Sequence, residues 1–167
     1  DQRAQVLLQR LLPMLRLRRA AKRVLDTLAP RLGVAIDVAT ALVAKYQQAS
    51  RPLVGEGVSP GLLLESVFVK SSPTVRITPK GFEPQYTALR RLFKLATLAK
   101  ASQLDSTETA WLMGNWPGSQ DPDFSTLPIE EAAGAVPAAW TAWKEWTTLM
   151  AARQQLGETA GVLTGYA

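Results

Sequence analysis

Apolar residues recur at three- and four-residue intervals in the first part of the chain, which places them on one face of an α-helix. This pattern predicts a helix over residues 2–28. One stripe contains Leu7, Leu11, Met14, Ala21, Leu25 and Leu28, and Leu8, Leu12 and Leu15 widen it. Pro13 removes one backbone donor, so we expect a kink or a break there. Pro30 and Gly33 are expected to end the helix.

A second, short helix is predicted directly after this one. Ile36 and Asp37 fit a hydrophobic staple residue followed by an N-cap. The helix is expected to run to about Tyr46. Its inward positions are predicted to be Val38, Leu42 and Val43.

A third short helix is predicted over residues 62–69, because a serine and a proline at 59–60 form a strong helix start signal. The branched and aromatic residues in this segment leave a β-strand as the alternative. Loops rich in glycine, proline and serine are predicted on either side, at 49–59 and 70–83.

Helices also dominate the second half of the chain. The predicted elements are a long helix over about 84–102, a short helix from 106 to about 113, a loop over 114–128 and a helix over about 136–156. Asp105 and Glu108 fit a capping box at the start of the short helix. Gly157 is the expected stop of the last helix, and residues 157–167 remain unassigned.

A weak internal repeat appears when the sequence is shifted by 70 residues. The shift aligns Leu25, Thr27, Leu28, Ala29, Val34 and Leu42 with Leu95, Thr97, Leu98, Ala99, Leu104 and Leu112. The repeat units span about 1–46 and 84–116, and either a duplication or the similar apolar spacing of simple helix pairs explains them. Both explanations predict a single all-α domain over 1–167, an irregular array of helical hairpins with long loops.

Composition narrows the possible chemistry. The 167 residues include 19 Lys and Arg against 14 Asp and Glu, for a net charge of +5, and they include no Cys and no His. Disulfides, thiolate metal sites, Ser-His-Asp triads and zinc sites of the HExxH type are therefore excluded. The longest uncharged stretches have 12 residues, well below the ~20 of a membrane-spanning helix.

The two ends of the sequence suggest a piece of a longer polypeptide. The chain does not begin with Met, and Asp1 leads almost directly into a helical pattern. The apolar N-terminal stretch is interrupted by arginines, which does not fit a signal peptide.

Two groups of basic residues are candidates for binding. The first contains Arg16, Arg18, Arg19, Lys22 and Arg23, with Arg31 further along, and is either a site for nucleic acid or anionic lipid or a solvated or interdomain face. No aromatic residue lies between Asp1 and Lys45 to stack on bases, and the apolar face contains leucines rather than Trp or Phe. The second group, Arg90, Arg91 and Lys94, either faces acids elsewhere or is solvated, and solvation is favoured.

Acidic pairs offer weak candidates for metal binding or catalysis. Asp121 and Asp123 form a D-x-D pair, but they lie beside Pro122, which is ordinary turn chemistry. Glu130 and Glu131 are adjacent and point apart on a helix. Asp105 and Glu108 are accounted for as a capping pair. We therefore predict no catalytic residue, no metal site and no cofactor.

A tryptophan-rich face is predicted on the last helix. Trp140, Trp143 and Trp146 are spaced by three residues, and Met150 follows four residues later. These side chains either form a platform for a sugar or another ligand, or pack against the preceding helices, and packing is favoured. If they are exposed in the isolated domain, they mark an interface with another protein surface.

A longer pattern of packing residues runs through about 28–156. Its positions are Phe82, Pro84, Tyr86, Leu89, Leu92, Lys94, Ala96, Leu98, Leu104, Glu108, Trp111, Leu112, Asp123, Phe124, Leu127, Pro128, Trp140, Trp143, Leu149 and Arg153. The pattern resembles the helical shell of the A component of insecticidal toxin complexes, the Tc toxins. The stretch from Leu28 to Val34, with Leu42, resembles a second copy of the first part of that unit.

The resemblance implies a structural role. The parent protein would be a secreted homopentamer that binds a target cell, inserts a central α-helical channel and lets a toxic enzyme from its partner subunits pass through. This chain would then be a scaffold within a shell that surrounds the channel and responds to pH, with no active site. The alternative is a basic helical module that binds nucleic acid or regulates a partner, which would favour a cytoplasmic location.

Overall fold

The structure, a computed structural model, describes residues 2–45, 47–48, 51–54, 61–69, 78–114 and 136–156. Its helices are α1 (Gln2–Leu32), α2 (Ile36–Lys45), α3 (Ser66–Val69), α4 (Glu83–Ala101), α5 (Ser106–Gly114) and α6 (Val136–Gln155), and a 3₁₀ turn covers Leu62–Leu64. Two short antiparallel strands, β1 (Gln47–Gln48) and β2 (Arg51–Pro52), form the described sheet. The predicted all-α fold class is confirmed.

The hydrophobic core is centred on α2. Ala39 and Leu42 are fully buried in it, and α2 packs against α1, α4 and α5. The predicted inward positions Val38, Leu42 and Val43 are all buried. The remaining buried apolar side chains of this core are Ala29, Leu32, Leu53, Leu62, Leu63, Ala88, Leu92, Leu95, Ala96, Ala99, Leu104, Leu112 and Trp146.

The expected break at Pro13 is wrong, because α1 continues through it to Leu32. Only one backbone hydrogen bond is lost at a proline, and the surrounding side chains are exposed, so water can reach the carbonyl that loses its donor. Pro30 is also accommodated within the last turn. Gly33 ends the helix as predicted, at a φ of 68°, which favours glycine.

The prediction that Asp37 is the N-cap of α2 is also wrong, because Asp37 lies inside the helix. The helix begins at Ile36, and the amide of Ala39 donates to the carbonyl of Ala35. Asp37 lies in the first turn, where its carboxylate accepts a hydrogen bond of 2.8 Å from the amide of Val38. The acid still satisfies a free donor at the positive end of the helix dipole. Ile36 is 49% exposed, so it does not act as a packed staple.

The same turn follows α1 and α4, at a separation of 70 residues. In the first turn the amide of Val34 donates to the carbonyl of Ala29, and in the second the amide of Leu104 donates to Ala99. Both are the long hydrogen bond of a Schellman motif, with the left-handed residue at Gly33 in one and at Gln103, φ 52°, in the other. The predicted repeat therefore coincides with a repeated helix–turn–helix geometry.

The described residues between α2 and α4 are held in place by hydrogen bonds. The amide of Leu63 donates to the carbonyl of Leu53, a residue that the sequence placed in a loop and that is fully buried. Gln85 of α4 donates a 2.8 Å hydrogen bond to Glu65. The third predicted helix is a 3₁₀ turn followed by the short α3, so the strand alternative is wrong. Residues 55–60, 70–77, 115–135 and 157–167 lie outside the described residues, as do the loop and stop predictions made there.

Exchanging the turn residues tests the repeated motif. A Gly33→Ala variant should lose about 1 kcal/mol of unfolding free energy, because a Cβ is disfavoured at positive φ. A Gln103→Gly variant should be stabilised by roughly 0.5–1 kcal/mol for the converse reason. Chemical denaturation of both variants measures these changes. Equal signs for the two substitutions would contradict the shared geometry.

Candidate functional site

A buried ion pair joins α6 to the start of α5. The Nε of Arg153 lies 3.0 Å from Oε1 of Glu108, and its Nη2 lies 2.9 Å from Oε2. The side chain of Glu108 is fully buried and that of Arg153 is 8% exposed. The two contacts form the paired geometry in which a guanidinium binds a carboxylate most strongly.

The carboxylate of Glu108 is held in place by the capping box that the sequence predicted. The amide of Glu108 donates a 2.7 Å hydrogen bond to Oδ1 of Asp105, and the amide of Asp105 donates to Oε2 of Glu108 at 3.4 Å. Thr109 adds a hydroxyl bond of 2.6 Å to the carbonyl of Asp105. Asp105 and Glu108 are therefore used as the predicted capping pair, and Glu108 also has a role that the sequence did not reveal.

Arg153 also binds the end of α4. Its Nη1 donates to the carbonyl of Ser102 at 3.1 Å, and its Nη2 donates to the carbonyl of Gln103 at 3.3 Å. The guanidinium lies at the negative end of the α4 dipole, and the carboxylate of Glu108 lies in the first turn of α5, at the positive end of that dipole. One side chain thus satisfies two turn carbonyls and one buried acid, and we call Asp105, Glu108 and Arg153 the polar clamp.

The tryptophan-rich face is only partly packed. Trp146 is 5% exposed and belongs to the core. Leu149 and Met150 are partly buried and pack against the same core. Trp140 and Trp143 are 57% and 46% exposed. Residues three positions apart on an α-helix differ in direction by about 60° around the helix axis. Trp140 therefore points roughly 120° away from Trp146.

A half-open cleft of about 330 Å³ lies between the end of α4 and α6. Trp143, Trp146 and Met150 line one side of it, and Leu98 and Gln103 line the other. The cleft brings the tryptophan face next to the polar clamp.

The residues of the first predicted basic group, with Arg31, are all exposed. They are Arg16, Arg18, Arg19, Lys22, Arg23 and Arg31. Lys22 forms an exposed ion pair with Asp26 at 3.1 Å. In the second basic group, Arg90 and Arg91 are half-buried rather than fully solvated, and the guanidinium of Arg90 lies 5.8 Å from the ring centre of Tyr86.

The described residues contain no group of three acidic side chains that could hold a metal ion. Asp121, Asp123, Glu130 and Glu131 lie outside them. Within the same described ranges no single helix is long and apolar enough to cross a membrane, although α1 and α2, bent by 112° at their junction, pass that test as a pair on length and composition.

Comparison with protein-family models, with curated proteins and with solved structures finds no match to this chain.

Breaking the polar clamp should destabilise the fold strongly. In a Glu108→Gln variant the guanidinium of Arg153 stays buried without its countercharge, so we expect a loss of about 3 kcal/mol in unfolding free energy. A Glu108→Leu/Arg153→Met double variant should recover much of this loss, because no charge is left buried. The exposed pair supplies the control, since Lys22→Gln should change stability by less than about 0.5 kcal/mol. Equal effects of Glu108→Gln and Lys22→Gln in urea denaturation would contradict the clamp.

The tryptophans should separate into two classes. Replacing Trp146 by alanine should cost roughly 3–5 kcal/mol, the range for a large buried aromatic residue. Replacing Trp140 by alanine should leave the thermal midpoint of the isolated chain almost unchanged, because most of its side chain already contacts solvent. A large loss of stability on removing Trp140 would contradict its exposed position.

Proposed function

We propose that this chain is a non-catalytic scaffold unit of a large secreted, pore-forming toxin-translocation subunit, similar to the helical shell of Tc toxin A components. The observation that carries the proposal is the polar clamp. Glu108 and Arg153 are two positions of the pattern that resembles the shell unit, and they are buried against each other between α5 and α6.

Other positions of the same pattern support a packing role. Leu92, Leu104 and Leu112 are buried in the core, and Leu98 and Leu149 pack against it. In such a unit the patterned residues specify how helices stack rather than how a substrate binds. The polar clamp accordingly joins the end of α4 and the start of α5 to α6.

The exposed tryptophans fit a unit that continues into neighbouring structure. Trp140 and Trp143 present large apolar surfaces beside the packed Trp146. Exposed aromatic residues of this size are typical of interfaces, where their area contributes most to binding. We therefore propose that they contact an adjacent domain of the same large chain or a neighbouring subunit of the pentamer.

The assembly of the parent protein tests the proposal. Antibody raised against the 167-residue chain would be used to purify the parent polypeptide from its source, followed by native mass spectrometry and electron microscopy. We expect five copies in one complex, with Fab fragments raised against this chain bound to the wall that surrounds the channel. A monomeric parent, or Fab bound along the channel axis, would contradict the shell assignment.

A nucleic-acid-binding or regulatory module is the second candidate, and the exposed cations of α1 favour it. Phosphate contacts by these residues would give an affinity that falls steeply with salt. Fluorescence anisotropy with duplex and single-stranded DNA measures this, and an Arg16→Ala/Arg18→Ala/Arg19→Ala variant is the comparison. Tight, salt-dependent binding that the triple variant loses would favour this module over the scaffold.

A further inference from the structure

The first half of α1 carries a broad apolar surface that the described core does not cover. The exposed side chains are Leu7, Leu8, Leu11, Leu12, Met14 and Leu15, between 37% and 59% exposed. The first buried side chain described along α1 is Ala21. The stretch of α1 from residue 5 to residue 20, before Ala21, is about 24 Å long.

These six residues lie on one arc of the helix. At 100° per residue they span about 160° of its circumference, from Met14 to Leu12. Arg10 lies beyond one edge of the arc and Arg16 beyond the other. Further along the helix, Arg18, Arg19 and Lys22 continue the same arc. We call Leu7–Leu15 with these five cations the leucine–arginine face.

The charge of this face has a single sign. Residues 2–25 contain seven Lys and Arg and no Asp or Glu. Along the sequence, the nearest described acid is Asp26, which pairs with Lys22 at the far end, and Asp37 of α2 lines a cavity with Arg18 and Lys22 there. A negatively charged surface that covers the leucines would therefore also be attracted by the cations of this face.

We propose that the leucine–arginine face docks onto the surface of an anionic lipid bilayer. The helix lies in the plane of the interface with its leucines between the acyl chains. Arg10 and Arg16 at the edges, and Arg18 and Arg19 beyond the end of the leucine arc, extend their guanidinium groups to the lipid phosphates. The bilayer is contacted by the surface of the helix and is not crossed.

The width and charge of the face favour a bilayer over other occupants. A single partner helix covers a narrow seam of about two positions in seven, whereas six of the nine positions from Leu7 to Leu15 are exposed and apolar. A second copy would add the same positive charge, because residues 2–25 contain no acid to pair with it. Nucleic acid would bind the arginines but leave the leucines in water, and this helix contains no aromatic residue for base stacking.

Vesicle binding by the 167-residue chain tests the proposal. Co-sedimentation would be compared for vesicles of phosphatidylcholine alone and of equal parts phosphatidylcholine and phosphatidylserine, at an ionic strength of about 0.15 M. We expect at least about tenfold tighter binding to the anionic vesicles. Two variants should each weaken this binding by about tenfold or more: Leu8→Ser/Leu11→Ser/Leu15→Ser, and Arg16→Gln/Arg18→Gln/Arg19→Gln.

Matched control variants distinguish an effect of the leucine–arginine face from a general effect of losing positive charge or exposed apolar surface. Lys80→Gln/Lys100→Gln/Lys144→Gln removes the same number of exposed cations elsewhere, and Tyr86→Ser/Phe93→Ser/Leu156→Ser removes three exposed apolar side chains. Both controls should retain vesicle binding. The circular dichroism and thermal midpoints of the two test variants should match those of the parent, because the altered side chains are exposed.

Each other outcome would overturn the proposal. Absence of binding to the anionic vesicles would do so directly. Binding that depends on the arginines but is unaffected by the serine variant would show a purely electrostatic contact, such as one to nucleic acid. A dimer that the serine variant converts to a monomer, without vesicle binding, would identify a second copy as the occupant.

Discussion

A buried charge must find its countercharge and its hydrogen bonds inside the protein, and this requirement organises the second half of the chain. Removing Glu108 or Arg153 from water costs several kcal/mol for each ion unless the environment replaces the water. Arg153 makes four hydrogen bonds, two to Glu108 and two to the carbonyls of Ser102 and Gln103. One side chain of α6 therefore fixes the end of α4 and the start of α5 at once, and Trp146 adds the apolar contact.

The rest of the architecture divides into a packed centre and two unpacked surfaces. The core surrounds α2 and uses the same Schellman turn after α1 and after α4. The leucine–arginine face and the exposed tryptophans lie outside it. The first is cationic and broad, whereas the second is aromatic and lies beside the polar clamp. The proposed scaffold role uses the tryptophans as a protein interface, and the proposed membrane contact uses the first half of α1.

Sequence patterns predicted the helices well because their signals are local. The apolar period, Gly33 and the Asp105–Glu108 capping box each act within a few residues, and all three are confirmed. The break predicted at Pro13 is wrong, because the cost of a proline within a helix depends on whether water reaches the carbonyl that loses its donor. The partnership of Glu108 with Arg153 spans 45 residues and has no periodic signal. The burial of Leu53 and the division of the tryptophans likewise depend on tertiary packing, although an Arg in the last turn of α6 was a usable hint.

Amide hydrogen exchange on a Glu108→Gln variant tests most directly whether the polar clamp holds α6 in place. The structure predicts that the amides of α6 lose protection and become the fastest to exchange among the long helices, because α6 loses the ion pair that binds it to the end of α4 and the start of α5. The amides of α2 should remain the slowest to exchange and lose no more than the fall in global unfolding free energy, because the apolar core around α2 keeps its contacts. Unchanged protection of α6, or α2 amides that exchange faster than those of α6, would contradict the central role of this interaction.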